Sequence, residues 1–131
     1  MALGNGTIVG SYLGTAVVED TLLSGSAAVT PQDITSSGGN LYQVYIDNSL
    51  NTSQQVYLKL FQLTASGVTS TGVGTAAPDF IFPCAGGAIR QFDFPEGLAF
   101  AVRLSMYLEV SPGTTGSTGP TNNVTVRITR G

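Results

Sequence analysis

Phe100-Ala101-Val102-Arg103-Leu104-Ser105-Met106-Tyr107-Leu108-Glu109-Val110 is the stretch that decides how this chain folds. Phe100, Val102, Leu104, Met106, Leu108 and Val110 occupy every second position. Ala101, Arg103, Ser105, Tyr107 and Glu109 lie between them. Successive side chains of a strand point to opposite faces, so this alternation predicts one antiparallel strand over 99–110 with one face on a core and the other in water.

The same period recurs on either side. Val124, Val126 and Ile128 alternate with Thr125, Arg127 and Thr129 near the C-terminal end, with the threonines and arginine expected outside. Upstream, Tyr42, Val44 and Ile46 share a face, as do Val56, Leu58 and Leu60. Tyr57, Lys59 and Phe61 also carry apolar bulk, so the second face of that segment is expected to meet another sheet or a partner chain. Ile89, Gln91 and Asp93 alternate with Arg90, Phe92 and Phe94 until Pro95-Glu96-Gly97, a turn signal. Pro78-Asp79-Phe80-Ile81-Phe82-Pro83-Cys84 is bounded by prolines, which donate nothing to a ladder, and reads as an edge strand or extended loop.

Residues 1–40 are less regular. Thr7–Tyr12, Thr15–Glu19 and Ala27–Thr30 read as short extended segments, and Ser36-Ser37-Gly38-Gly39-Asn40 as a turn. The expected organisation is an N-terminal arm or added edge strands over 1–40, followed by a β-sandwich domain over 41–131. At least five strands separated by turn clusters, with no capped 3.6-residue period, make the class all-β: an antiparallel, jelly-roll-like β-sandwich with an extended N-terminal arm.

Composition removes whole classes of function. A length of 131 residues fits one domain. There is no His, which excludes an imidazole base or metal ligand, and a single Cys cannot form a disulfide within the chain. Five Lys and Arg against eight Asp and Glu leave no basic footprint for nucleic acid. No apolar run approaches the length of a membrane helix, and Met1–Thr7 carries neither the charge nor the apolar core of a secretory signal. The expectation is a protein of the cytoplasm, or one released by lysis.

Chemistry is sparse. Lys59 is the one candidate base besides the carboxylates, and its place between aromatics in a strand favours a structural role. The scattered acids Asp47, Asp79, Asp93, Glu96 and Glu109 suggest no glycosidase pair, since the chain has no Trp to form a sugar platform. Asp47, Asn48 and Asn51 form the best oxygen cluster and read as a side-chain-capped turn rather than a calcium loop. Cys84 reads as a buried structural thiol. No catalytic residue, metal or cofactor is expected. Ile8 and Tyr12 in the first extended segment, with Phe80 and Phe82, are the candidate interface residues, because exposed aromatics and aliphatics anchor contacts. Sparse charge also favours lasting association.

Four segments in order carry a family resemblance: Val44-Tyr45-Ile46-Asp47-Asn48-Ser49, Val56-Tyr57-Leu58-Lys59-Leu60-Phe61, Val73-Gly74-Thr75-Ala76-Ala77-Pro78-Asp79 and Phe94-Pro95-Glu96-Gly97-Leu98-Ala99-Phe100. Together they resemble a β-sandwich domain of tailed-bacteriophage structural proteins, of the capsid cement or decoration kind that cyanophages and related virions carry. The resemblance covers residues 41–130. Cys84 stands where an aliphatic residue is expected, and residues 1–40 match nothing in the family. The resemblance implies a non-enzymatic virion protein, made in the host cytoplasm, that sits on the capsid exterior as a homotrimer and bridges major capsid proteins. It implies no nucleic-acid or membrane partner. A tail, fibre or baseplate module and a small carbohydrate-binding β-sandwich with Tyr42, Tyr45, Tyr57 and Tyr107 as stacking surfaces are the alternatives.

Overall fold

Two antiparallel sheets pack face to face. The computed structural model describes residues 7–12, 15–22, 32–35, 37–63, 77–114, 116 and 118–131. Over 7–12, 15–22, 32–33 and 63 it describes the backbone course and pairing alone. The strands are β1 (Thr7–Tyr12), β2 (Thr15–Leu22), β3 (Gln32–Thr35), β4 (Gly39–Asp47), β5 (Val56–Leu63), β6 (Phe80–Cys84), β7 (Ile89–Phe100), β8 (Arg103–Glu109) and β9 (Val124–Arg130). One sheet has the order β1-β2-β9-β4-β7 and the other β3-β8-β5-β6. The pairs β5–β6, β4–β7, β3–β8 and β2–β9 are nested one inside the next. This is a long antiparallel ribbon rolled into two layers, the jelly roll, with β1 added at one edge. No described residue is helical.

The alternation seen in sequence sets the core. Val44, Ile46, Val56, Leu58, Leu60, Leu104, Met106, Leu108, Val124, Val126 and Ile128 are all buried between the sheets. Tyr42 is half-buried rather than a core residue. A bulge between Leu41 and Gln43, present against both β7 and β9, shifts the phase and turns Leu41 inward in its place. The same bulge absorbs Pro95-Glu96-Gly97. Leu41 pairs with Leu98 and Gln43 with Asp93, so residues 94–97 loop out of β7 without ending it. Gly97 supplies the positive φ of 84° that this excursion needs. The proline-bounded segment forms β6, an edge strand as expected.

The predicted strand over 99–110 is two strands. The chain leaves β7 at Phe100, crosses to the other sheet through Ala101 and Val102, and enters β8 at Arg103. Phe100 and Leu104 both point into the interior, so the period of two runs unbroken across the switch. Beside it, Ser37 and Gly38 carry the chain from β3 back to β4. The two crossings touch backbone to backbone: a Cβ on Gly38 would lie 2.5 Å from the Ala101 carbonyl oxygen. Of the turn expected at Ser36–Asn40, Ser37 and Gly38 form this crossing, whereas Gly39 and Asn40 already belong to β4. The extended segment expected at Ala27–Thr30 and most of the expected loop over 64–77 lie outside the described residues. Within 1–40, β1 and β2 complete the five-stranded sheet and β3 borders the other.

The solvent face expected for β8 is buried. Ser105, Tyr107 and Glu109 are each fully inaccessible, as are Lys59 and Phe61 on the matching face of β5, and Thr129 is also buried. Ser105, Glu109 and Thr129 are therefore interior residues, contrary to the expectation of an outward face. β5 and β8 are the central strands of their sheet and are covered on both sides. For β5 the apolar bulk on both faces agrees with this burial, whereas the polar residues of β8 mask it.

Replacing Leu104 by Asp is expected to abolish the cooperative melting transition, because an unpaired carboxylate would enter the space between the sheets. Thermal denaturation followed by near-ultraviolet circular dichroism tests it.

Candidate functional site

The end of the sandwich that carries the β4–β5, β6–β7 and β8–β9 connections is held by side-chain amides. The β4–β5 turn begins as the sequence suggests: the Ser49 amide donates to Asp47 Oδ1 at 3.0 Å. The Ser49 side chain and amide together hold the Asp47 carboxyl below the usual carboxylate range. Asn48 then turns inward and is wholly buried. Its Nδ2 reaches the carbonyls of Gln54 at 2.8 Å, Cys84 at 3.3 Å and Ala85 at 3.1 Å. Its own carbonyl oxygen accepts from the Asn51 and Gly87 amides. One side chain thus joins the β4–β5 turn to the β6–β7 turn.

Asn51 extends the network to the third connection. It is buried, and its Nδ2 donates to Asn48 Oδ1 and to the Asn122 carbonyl, both at 2.9 Å. The Asn122 amide donates back to Asn51 Oδ1 at 2.7 Å. The Asn122 side chain donates to the Leu50 carbonyl at 3.0 Å, and the Thr121 amide to Gln54 Oε1 at 2.7 Å. Gly86 is required where the two turns meet, since a Cβ there would lie 2.7 Å from the Gln54 nitrogen. The capped turn read from Asp47, Asn48 and Asn51 is therefore present, and its two asparagines also reach well beyond it.

A hollow of about 290 Å³ opens on this end, lined by residues 50–54 with Thr121 and Asn122. Leu50, at its rim, is 65% exposed. The lining offers hydroxyls, amides and backbone groups, and none of its side chains is ionisable. It can hold a neutral hydrogen-bonding surface in place, but it contains no nucleophile with a base beside it. Among the described residues, no three of Asp, Glu and Cys converge as a metal site.

Lys59 and Glu109 form the other cluster of polar chemistry. They lie one step apart across the β5–β8 ladder, where Tyr57 pairs with Glu109 and Lys59 with Tyr107. Lys59 Nζ donates to Glu109 Oε1, and both side chains are completely buried. Glu109 is thus paired and interior rather than an isolated surface charge. The Phe61 and Tyr107 rings stack at 5.0 Å on the same face, and Lys59 Nζ lies 5.9 Å from the Tyr107 ring centroid. Burial pushes the Glu109 carboxyl up, and its hydrogen bond with Lys59 works against that shift. The structural role expected for Lys59 takes the form of this pair.

The interface candidates separate. Phe82 is a core residue, 5.0 Å from the Phe92 ring and 6.0 Å from Phe94, and Phe80 is half-buried against the same cluster. Ile81, between them, is the large apolar residue of this segment that faces outward. Ile8 pairs with Val18 and Tyr12 with Thr15 in the β1–β2 ladder, and their side chains lie outside the described ones. Cys84 is buried as expected, with Sγ 3.4 Å from the Ala88 carbonyl oxygen.

Comparison with known proteins adds little. No family model matches the sequence, and no curated protein matches it. Among solved structures, hydroquinone 1,2-dioxygenase in complex with Cd²⁺ and 4-hydroxybenzonitrile overlaps 95% of this chain at 11% identity and a TM-score of 0.33. This chain spans 63% of that one. A likeness of that degree fixes neither fold nor chemistry here.

Two outcomes follow from the loop-end geometry. Asn48→Ala is expected to cost about 3 kcal/mol, because it strips the buried Cys84 carbonyl and the part-buried carbonyls of Gln54 and Ala85 of a donor. Asn48→Asp is expected to cost more at neutral pH, since it sets a carboxylate against those oxygens; urea unfolding of both variants measures the order. Burial also pushes the Cys84 thiol up. A raised folded pKa gives a contribution that is complete below the ordinary thiol pKa and is lost as pH rises through the folded value. The loss of stability between about pH 8 and about pH 10 is therefore expected to be smaller in Cys84→Ala than in the parent.

Proposed function

We propose that the protein is a structural module of a virus particle, a cement or decoration protein that docks on the outer capsid and bridges major capsid proteins. The observation that carries this reading is the loop end: three connections locked by asparagines around an uncharged hollow, with Leu50 protruding beside it. A rigid, neutral surface loses little side-chain entropy and little hydration on docking. The jelly roll is an architecture that viral capsid and lectin domains use, an analogy of fold that accords with this reading. The four segments that resemble phage decoration proteins point the same way.

Such a protein stabilises a shell by binding only its assembled form, which draws the equilibrium toward assembly. Repeated copies multiply a modest contact energy. The homotrimer that the resemblance implies belongs to this reading, and light scattering of the purified protein tests it. The hydroxyl- and amide-lined hollow also favours a second reading, a small carbohydrate-binding domain, for which a glycan array is the test.

Leu50→Arg is expected to leave the melting temperature unchanged and to weaken binding to stripped capsids at least about tenfold, by setting a hydrated charge in the contact. Electron cryomicroscopy of virions locates the protein directly. Density confined to the tail, or full coating by the Leu50→Arg variant, would overturn the reading.

A further inference from the structure

We propose that Lys59 and Glu109 condense into an intramolecular amide that covalently ties β5 to β8. The chain holds one lysine, and its amine is placed against a carboxylate with both side chains sealed from water. Glu109 Oε1 meets Lys59, while Oε2 is buried and has no hydrogen-bond partner among the described residues. A buried ionised carboxylate with one bare oxygen is a costly arrangement. Condensation removes both charges and eliminates one carboxyl oxygen.

The surroundings favour the reaction. The Phe61–Tyr107 stack makes this face of the sheet apolar, which raises the cost of keeping separated charges there. The raised pKa of the Glu109 carboxyl acts in the same direction. The loop after β8 closes the site: the Val110 amide donates to the Thr118 carbonyl at 3.0 Å, and Gly116 comes so near that a Cβ there would lie 3.1 Å from Glu109 Oε2. Two reactants fixed in contact react far faster than free ones, and exclusion of water protects the product from hydrolysis.

The atoms balance without an oxidant or co-reactant. A proton passes from Lys59 Nζ to the Glu109 carboxylate, giving an amine and a carboxylic acid. The nitrogen lone pair attacks Glu109 Cδ, and the N–C bond forms. One C–O bond then breaks, and that oxygen leaves as water with its own proton and one from nitrogen. The products are one secondary amide and one water molecule.

The test is the intact mass of the full chain under denaturing conditions, with a tryptic map. The mass is expected to fall below the sequence value by one water molecule, either on isolation or progressively as the folded protein is incubated. Trypsin is expected to leave Lys59 uncut and to yield a branched species joining 1–90 to 104–127. Lys59→Arg keeps the charge but lacks the reactive amine, and its mass is expected to stay at the sequence value. If that variant fails to fold, the tryptic map of the parent still locates the bond. An unchanged mass after prolonged incubation, with cleavage after Lys59 releasing 1–59, would show an ion pair only and overturn the proposal. Loss of water in Lys59→Arg would overturn it as well.

Discussion

The carboxamide of Asn48 is the contact on which the loop end of this sandwich depends. A rolled ribbon brings three separate connections together at one end, and each brings backbone carbonyls that are partly or wholly withdrawn from water. Asn48 answers three of them at once, from Gln54, Cys84 and Ala85, and through Asn51 it reaches Asn122 in the third connection. An apolar residue of the same size would fill the space and leave the carbonyls bare. Each such group costs about 1–3 kcal/mol, so the network matters more for what it prevents than for what it adds. The hollow beside it is a product of the same bonds, since its walls are the residues that they hold.

The chain has few charges, and it places two of them where charge is most expensive. Lys59 and Glu109 lie on the covered face of the β3-β8-β5-β6 sheet, between aromatic rings. A buried ion pair is weak support for stability when compared with apolar residues of equal volume. Its presence in a chain that otherwise avoids charge asks for a purpose other than packing. In the hollow at the loop end the opposite choice is made, with no ionisable side chain in its lining.

The central strands β4, β5, β8 and β9 were legible because each has a core face, and a period of two survives any arrangement of the sheets. Val44 and Ile46, Val56, Leu58 and Leu60, Leu104, Met106 and Leu108, and Val124, Val126 and Ile128 all fall where their alternation puts them. The switch at Ala101 and Val102 was hidden for the same reason. Two residues carry the chain from one sheet to the other without changing which side faces inward, so the pattern does not register it. Tyr42 was displaced by a bulge, which alternation cannot encode. The burial of Ser105 and Glu109 was missed because polar residues at alternate positions read as a wet face. A signal was present nonetheless: Lys59 and Glu109 are single opposite charges, each next to a tyrosine or phenylalanine on its own face. At the loop end, residue types gave the capped turn, but nothing in the local sequence distinguishes an asparagine that turns inward from one that faces water.

The nesting of the ladders has a kinetic side. The innermost pair, β5 with β6, joins segments that are near in sequence, whereas β2 with β9 joins Ala16 to Arg130. Closing a loop costs more entropy as it lengthens, and non-local pairings are rewarded only after that cost is met. The ribbon is therefore cheapest to build from its middle outward, with the β2–β9 ladder the costliest to close. Until that ladder forms, β9 presents an unpaired edge along the sheet, and a second chain can satisfy it as well as the molecule's own β2 can. The roll thus passes through a stage in which intramolecular closure competes with exchange of strands between molecules, and concentration during folding decides between them.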